Sequence, residues 1–207
     1  MNLFQGILRF QKEDFETQRA LFSKLGKEQK PHTLFIGCSD SRVVPTLITK
    51  TYPGELFMVR NVANIVPPLE LSDHDHSTAA AIEFAVLVLN VETIVICGHS
   101  NCGGCAALYS DPSSLSDMPH LQEWLKLSAG VTGRVDKLLE NGKQADREWL
   151  TEQVNILVQM SHLHTYPYIA ERVAAGTLEV QGWHYLIESG EVLIYDDDSG
   201  HFETVSP

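Results

Sequence analysis

Two short apolar runs, each closed by a glycine and followed at once by metal-binding side chains, constrain this chain more than any other feature. Thr33-Leu34-Phe35-Ile36-Gly37 leads into Cys38-Ser39-Asp40-Ser41-Arg42, and Thr93-Ile94-Val95-Ile96-Cys97-Gly98 leads into His99-Ser100-Asn101-Cys102-Gly103-Gly104. Apolar, β-branched runs of this length predict strands buried on both faces, as in a parallel sheet. Gly98 is expected to end the second strand, and Cys102 to Leu108 to open a helix whose glycines let backbone pack closely. His99 and Cys102 then converge at a strand-to-helix junction. In an extended segment residues two apart face the same way, so Cys38 and Asp40 can address one metal while Arg42 reaches the Asp40 carboxylate.

Cys38, His99 and Cys102 make a Cys2His set. Zinc favours tetrahedral N/S coordination, and a catalytic site uses three protein ligands and leaves a fourth position open. A structural zinc site would close with a fourth Cys or His, whereas the fourth residue here is Asp40, which has Arg42 as a second partner. Cys105 completes a Cys-x-x-Cys with Cys102 but is expected to be a packed helix thiol, and Cys97 a buried strand thiol. Cys38 and Arg42 are too close for the Cys-x5-Arg cradle of a thiol phosphatase.

The pair Cys-x-Asp-x-Arg at 38–42 and His-x-x-Cys-Gly-Gly at 99–104 resembles the β-class carbonic anhydrases. The flanking words Gly54-Glu55-Leu56-Phe57, Val59-Arg60-Asn61-Val62-Ala63-Asn64, Ile82-Glu83-Phe84-Ala85-Val86 and Gln181-Gly182-Trp183 extend the resemblance to about residue 195. It implies one zinc ion per subunit and reversible hydration of carbon dioxide to bicarbonate by zinc-bound hydroxide, with Asp40 and Arg42 as catalytic residues. Asp40 would join the metal only in a closed state. The resemblance also implies a substrate cleft containing Gln29, Phe57, Val62, Phe84 and Gly103, and a bicarbonate pocket in gated members at Phe35, Arg60 and Tyr185. Gated members carry Trp where this chain has Phe35, and Gln29 matches open members, so the open form is expected. Phe84 departs from the usual Tyr and removes a hydroxyl near the cleft. Two thiolates offset the metal's charge, which predicts an alkaline-leaning pH profile. The same zinc ligands would serve a hydrolase of carbon disulfide or carbonyl sulfide, or a silent zinc module with Asp40 as permanent fourth ligand.

With 207 residues, 43% hydrophobic and 20% charged, the chain is expected to be a single α/β domain: a helical arm at 1–30 and a zinc-binding core at 31–207 with a mostly parallel sheet flanked by helices. A net charge of −12 argues against nucleic-acid and membrane partners. Four clustered cysteines and the lack of a signal-like N-terminus suggest the cytoplasm. Asp196-Asp197-Asp198 reads as a solvated turn.

Along the chain, the apolar stripe from Leu3 to Leu25 predicts a helix broken around Asp14 to Thr17 and capped by Gly26. In the resembled family this arm packs on a neighbouring subunit, which implies a homodimer that can pair further into a tetramer or octamer. Pro45 to Thr49 predicts a short helix, Leu56 to Val59 a strand, and Ser77 to Leu89 a helix capped by Asp73 or Asp75, with His74 and His76 beside the cap. Ser110 to Met118 reads as a loop. His120 to Leu127 is expected to begin an amphipathic helix anchored by Trp124, which a polar patch at Glu140 to Asp146 separates from another at Trp149 to Leu163, and a further helix restarts at Thr165 and Pro167 and ends at Gly176. Leu178 to Ile187 and Glu191 to Tyr195 predict a hairpin that adds an edge strand.

Overall fold

In a computed structural model describing residues 2–74, 76–142 and 145–205, the two apolar runs form adjacent central strands. β1 (Thr33–Cys38), β2 (Leu56–Asn61), β3 (Thr93–His99), β4 (Glu179–Tyr185), β5 (Val192–Asp196) and β6 (His201–Thr204) make one six-stranded sheet in the order β2-β1-β3-β4-β5-β6. The first four run parallel, and β5 and β6 are added antiparallel. The register pairs Gly37 with Cys97 and His99 with Tyr185, so Cys38 and His99 reach the same carboxyl-terminal edge. Ligands bind at that edge in open α/β sheets.

Side-chain alternation explains the burial. Leu34, Ile36, Ile94 and Ile96 point to one face and pack with Val66, Ile82, Val86, Ile156, Leu163, Tyr166 and Ile169. Phe35, Val95 and Cys97 point to the other, against Leu56, Trp183 and Tyr185. All of β1 is buried, and each fully buried Leu or Ile contributes roughly 1.5–3 kcal/mol of hydrophobic stabilisation, as an upper estimate.

Gly98 does not end its strand: β3 continues through it to His99, with Gly98 opposite His184 on β4. Its role is close approach. A Cβ there would stand 2.8 Å from Cδ1 and Cγ1 of Ile156, and one on Gly182 would stand 2.9 Å from Ile156 Cγ2. These two glycines let the Arg147–Leu163 helix lie directly on the sheet.

Several expected boundaries move. The helix foreseen from His120 to the Glu140 patch is two, Pro119–Lys126 and Gly130–Glu140, separated around buried Ser128. Ser110 to Met118 contains a 3-10 turn at Pro112–Leu115. Helix His76–Glu83 passes into a π-helical stretch at Phe84–Val88, short of Leu89. The carboxyl-terminal hairpin adds two strands rather than one, because His201–Thr204 pairs with β5. Pro45–Thr49 is the expected short helix. Asp75, one of the two foreseen caps, lies outside the described residues, as does the side chain of His74; Asp73 lies in a 3-10 stretch at Leu69–His74.

Residues 1–30 form one compact unit and residues 31–207 another. In the first, helix Leu3–Arg9 runs through a π-helical segment at Phe10–Asp14 and helix Phe15–Thr17, breaks at Gln18 (φ −111°, ψ 16°), and resumes as Arg19–Leu25. The break therefore falls just after the expected Asp14 to Thr17. Gly26 caps the end in right-handed rather than left-handed geometry. Phe10 stands edge to face with both Phe15 and Phe22, which are tilted to each other, while Leu3 and Phe4 are 86% and 75% exposed.

Candidate metal centre

At the carboxyl-terminal edge of β1 and β3, the ligand atoms of Cys38, His99 and Cys102 lie within 4.8 Å of one another, and all three residues are buried. Cys38 Sγ and Cys102 Sγ are 4.0 Å apart. Two thiolates on tetrahedral zinc would be about 3.8 Å apart, so the site needs little adjustment. Cys38 ends β1, His99 ends β3, and Cys102 immediately precedes the short helix Gly103–Ala106. His99 Nδ1–H donates to the Ser100 carbonyl (3.0 Å), which leaves Nε2 as the free lone pair. That Nε2 is buried with no partner. An orphaned imidazole nitrogen facing two thiols is the donor set of zinc, and these residues fit it.

The electrostatics point the same way. The Cys38 thiol is pushed up to about 12 by its contact with Cys102 and then by burial. That of Cys102 is pushed up to about 12 by contact with Cys105 and by burial, with Cys38 working against them. Burial opposes protonation of His99, yet contacts with Cys38, the Ser100 carbonyl and Asp40 leave its pKa raised. Thiols packed together without a cation hold their protons, and a divalent cation reverses that balance.

Arg42 grips Asp40. Asp40 Oδ1 accepts from the Arg42 backbone N–H and Nε (both 2.9 Å), and Oδ2 accepts from Nη2 (2.7 Å). The guanidinium holds the carboxyl well below the usual carboxylate range. Arg42 Nη2 also donates to the Asn101 carbonyl (2.9 Å), tying the loop after β1 to the loop after β3. Asp40 Oδ2 stands 3.9 Å from His99 Nε2, at the edge of the ligand cluster.

The other expected site residues fall in separate places. Arg60 donates to the carbonyls of Cys38 and Asp40 (2.6–3.0 Å), bracing the loop that carries both. Phe35 is fully buried with its ring edge-on to Trp183, and Tyr185 packs in the same cluster. Val62 shares a cleft of about 600 Å³ with Ser39, Met58, Arg60, His120 and Trp124, and its carbonyl accepts from Trp124 Nε1 (2.8 Å). Phe57 and Phe84 form an aromatic pair, ring centroids 5.9 Å apart, four register positions back from Cys38 on β2. Gly103 has open space where a Cβ would be, whereas a Cβ on Gly104 would stand 2.8 Å from both Ala63 Cβ and Val62 Cγ1. Gln29 belongs to the first unit. Cys105 and Cys97 are buried and packed, and Cys105 is not among the three clustered ligands; His76 is exposed.

Sequence reasoning missed Glu152. Its Oε1 accepts from the Cys102 backbone N–H (3.1 Å), and Oε2 lies 3.1 Å from His184 Nε2. On the same helix face, Asn155 Nδ2 donates to the Ala63 carbonyl and Gln159 Oε1 accepts from the Val66 N–H (both 2.9 Å). The available signal was Glu, Asn and Gln at three- and four-residue spacing on the apolar face of a helix.

The carbonic anhydrase family profile matches residues 33–192. A carbonic anhydrase of Helicobacter pylori strain J99 is 39% identical over 99% of this chain and 94% of its own length. Among solved structures, the β-carbonic anhydrase CcaA superposes with a TM-score of 0.93 at 37% identity, covering 99% of this chain and 91% of that one. One of two tetrameric β-carbonic anhydrases from Sordaria macrospora gives a TM-score of 0.79 at 33% identity, over 93% of this chain and 94% of its own. With the ligand set at the edge of a matching sheet and these relatives spanning nearly its whole length, the chain belongs to the carbonic anhydrase family, in its β-class.

Proposed function

We propose that this chain catalyses the reversible hydration of carbon dioxide to bicarbonate and a proton, with one zinc ion per subunit held by Cys38, His99 and Cys102. The observation that carries the reading is the pairing of an orphaned His99 Nε2 between two thiols with an Asp40 carboxylate engaged by Arg42. Bound there, zinc supplies Lewis acidity that brings the pKa of a water toward neutrality. Asp40 would be the hydrogen-bond acceptor beside the metal's open position: its carboxylate stays ionised, and Arg42 fixes the direction of its lone pairs. Arg42 also keeps Asp40 from serving as a fourth ligand, which supports the open form over a silent zinc module. Arg60 holds the Cys38 and Asp40 carbonyls, so the ligand and the acceptor move as one body.

Phe35 fills its space against Trp183, and Arg60 is spent on backbone carbonyls, which favours the absence of a gating bicarbonate pocket. Val62 is assigned to the substrate cleft, where Met58, Val62 and Trp124 give an apolar lining that suits carbon dioxide. Val44, Leu47, Met58, Val62, Phe84, Leu87 and Val88 are 38–64% exposed, and so many exposed large apolar side chains support a homodimer able to assemble further. Among the described residues no helix is long and apolar enough to cross a membrane, and all four cysteines are free, which suits the cytoplasm.

The test is stopped-flow carbon dioxide hydration by the zinc-loaded protein from about pH 7 to about pH 9, with Cys38→Ser as control. The expected result is an alkaline-leaning profile with activity at both ends, lost in the control. Activity confined to the alkaline end would show that Asp40 closes the site. Inactivity throughout, with turnover of carbon disulfide or carbonyl sulfide, would move the substrate to the sulfur analogues.

A further inference from the structure

Against the backbone of Cys102 lie a buried acid and imidazole that the proposed reaction does not use. Glu152 is 2% exposed and His184 is fully buried. Burying a carboxyl is costly unless it is paired and hydrogen-bonded, and here it is both. Both oxygens are committed: Oε1 to the Cys102 N–H and Oε2 to His184 Nε2, each at 3.1 Å. The far ring nitrogen, His184 Nδ1, has no partner, so the ring's one polar contact in the interior is the carboxyl. Trp149 stands edge-on to the ring with centroids 4.8 Å apart, and Phe202 packs on it at 6.2 Å. The imidazole is clamped by aromatic rings and aimed at Glu152.

The three groups come from distant parts of the chain and meet because of two register facts. His184 lies on β4 directly opposite Gly98, the residue before the ligand His99. Gly98 lets the Arg147–Leu163 helix approach the sheet, and that approach carries Glu152 to the amide of Cys102. One carboxyl therefore links the helix, the strand beside one metal ligand and the backbone of another.

We infer that Glu152 and His184 are positioning residues for the metal: His184 orients the Glu152 carboxyl, and the carboxyl fixes the Cys102 backbone and with it the direction of Sγ. The inference rests on the zinc reading above. Loss of such outer hydrogen-bond partners lowers metal affinity on the order of 10–100-fold. Trp149, Phe202 and the strand hold the ring whatever it bonds to, so the hydrogen bond can be separated from the packing.

The experiment compares wild type, Glu152→Ala, His184→Leu and His184→Gln. Zinc release to a coloured chelator is followed in each, and the thiolate-to-metal charge-transfer band is recorded after cobalt(II) substitution. His184→Leu fills the space without a donor, whereas the Gln amide can stand where Nε2 stood. His184→Leu and Glu152→Ala are expected to release zinc about 10–100-fold faster with a shifted band, and His184→Gln to recover most of the wild-type rate and band. Circular dichroism identifies a variant that fails to fold, and the Leu/Gln comparison then carries the result. Equal release from His184→Leu and wild type, or equal loss in the Leu and Gln variants, overturns the inference alone. A wild type that holds no zinc overturns the metal reading and this inference with it.

Discussion

Replacing Gly98 with alanine tests how the helix comes to lie on the sheet. The new Cβ would stand 2.8 Å from both Cδ1 and Cγ1 of Ile156, whose side chain is fully buried between Gly98 and Gly182. Ordinary carbon contacts lie near 3.5–4.0 Å, so the helix or the Ile156 side chain must yield by about 1 Å. Overpacking of this kind costs about 1–3 kcal/mol, which lowers Tm by roughly 2–12 °C in a chain of this size. Ile156→Ala alone leaves a cavity and costs about 2–5 kcal/mol. In the double variant the alanine methyl at 98 enters space that Ile156 has vacated. The double variant should therefore be more stable than the sum of the single losses by at least about 1 kcal/mol, well outside the few tenths expected of independent sites. The assay is equilibrium urea unfolding of zinc-loaded protein at one fixed protein concentration, because binding and assembly shift apparent stability. Additive losses would refute the claim that Gly98 is there for the approach of Ile156.

Two further outcomes follow from single side chains. Arg42→Ala removes the two guanidinium hydrogen bonds that hold Asp40 and the link to Asn101, leaving only the backbone N–H on Oδ1, so hydration activity at equal zinc content should fall on the order of 10–100-fold in stopped flow. His162 is partly buried, its Nδ1–H donates to the Val66 carbonyl (2.7 Å), and burial lowers its pKa. A folded pKa below the unfolded value means that the unfolded chain takes the proton first. His162 thus contributes stability that is present above about pH 6.5 and lost as pH falls through the folded value. His162→Gln should flatten the loss of urea stability over that acid range, and an unchanged slope would rule the group out.

The convergence of Cys38, His99 and Cys102 was legible in the sequence because each stands within a few residues of a strand end, where local rules suffice. A run of β-branched residues gives the strand, and two-residue alternation gives the facing of Cys38 and Asp40. Gly98 was misread because a glycine after an apolar run signals a turn, whereas its use is decided by Ile156, 58 positions later in the chain. Glu152 could not be read from its surroundings: its partners lie 50 residues before it and 32 after it, and only the packed helix brings them together. The break after Lys126 was hidden for the same reason. The apolar stripe continues through Leu125, Val131 and Val135, while the interruption is fixed by Ser128, whose hydroxyl accepts from Gln159 Nε2 (2.9 Å). β6 has one half-buried aromatic, Phe202, in four residues, too short an alternation to stand out from a loop.

The most direct measurement of the central claim is zinc K-edge X-ray absorption on the purified, zinc-replete protein. The account predicts one zinc per chain with two sulfur neighbours near about 2.3 Å and two nitrogen or oxygen neighbours near about 2.0–2.1 Å, and loss of one sulfur in Cys38→Ser. A shell of three or four sulfurs, or a shell unchanged by Cys38→Ser, would contradict an open catalytic site built from Cys38, His99 and Cys102.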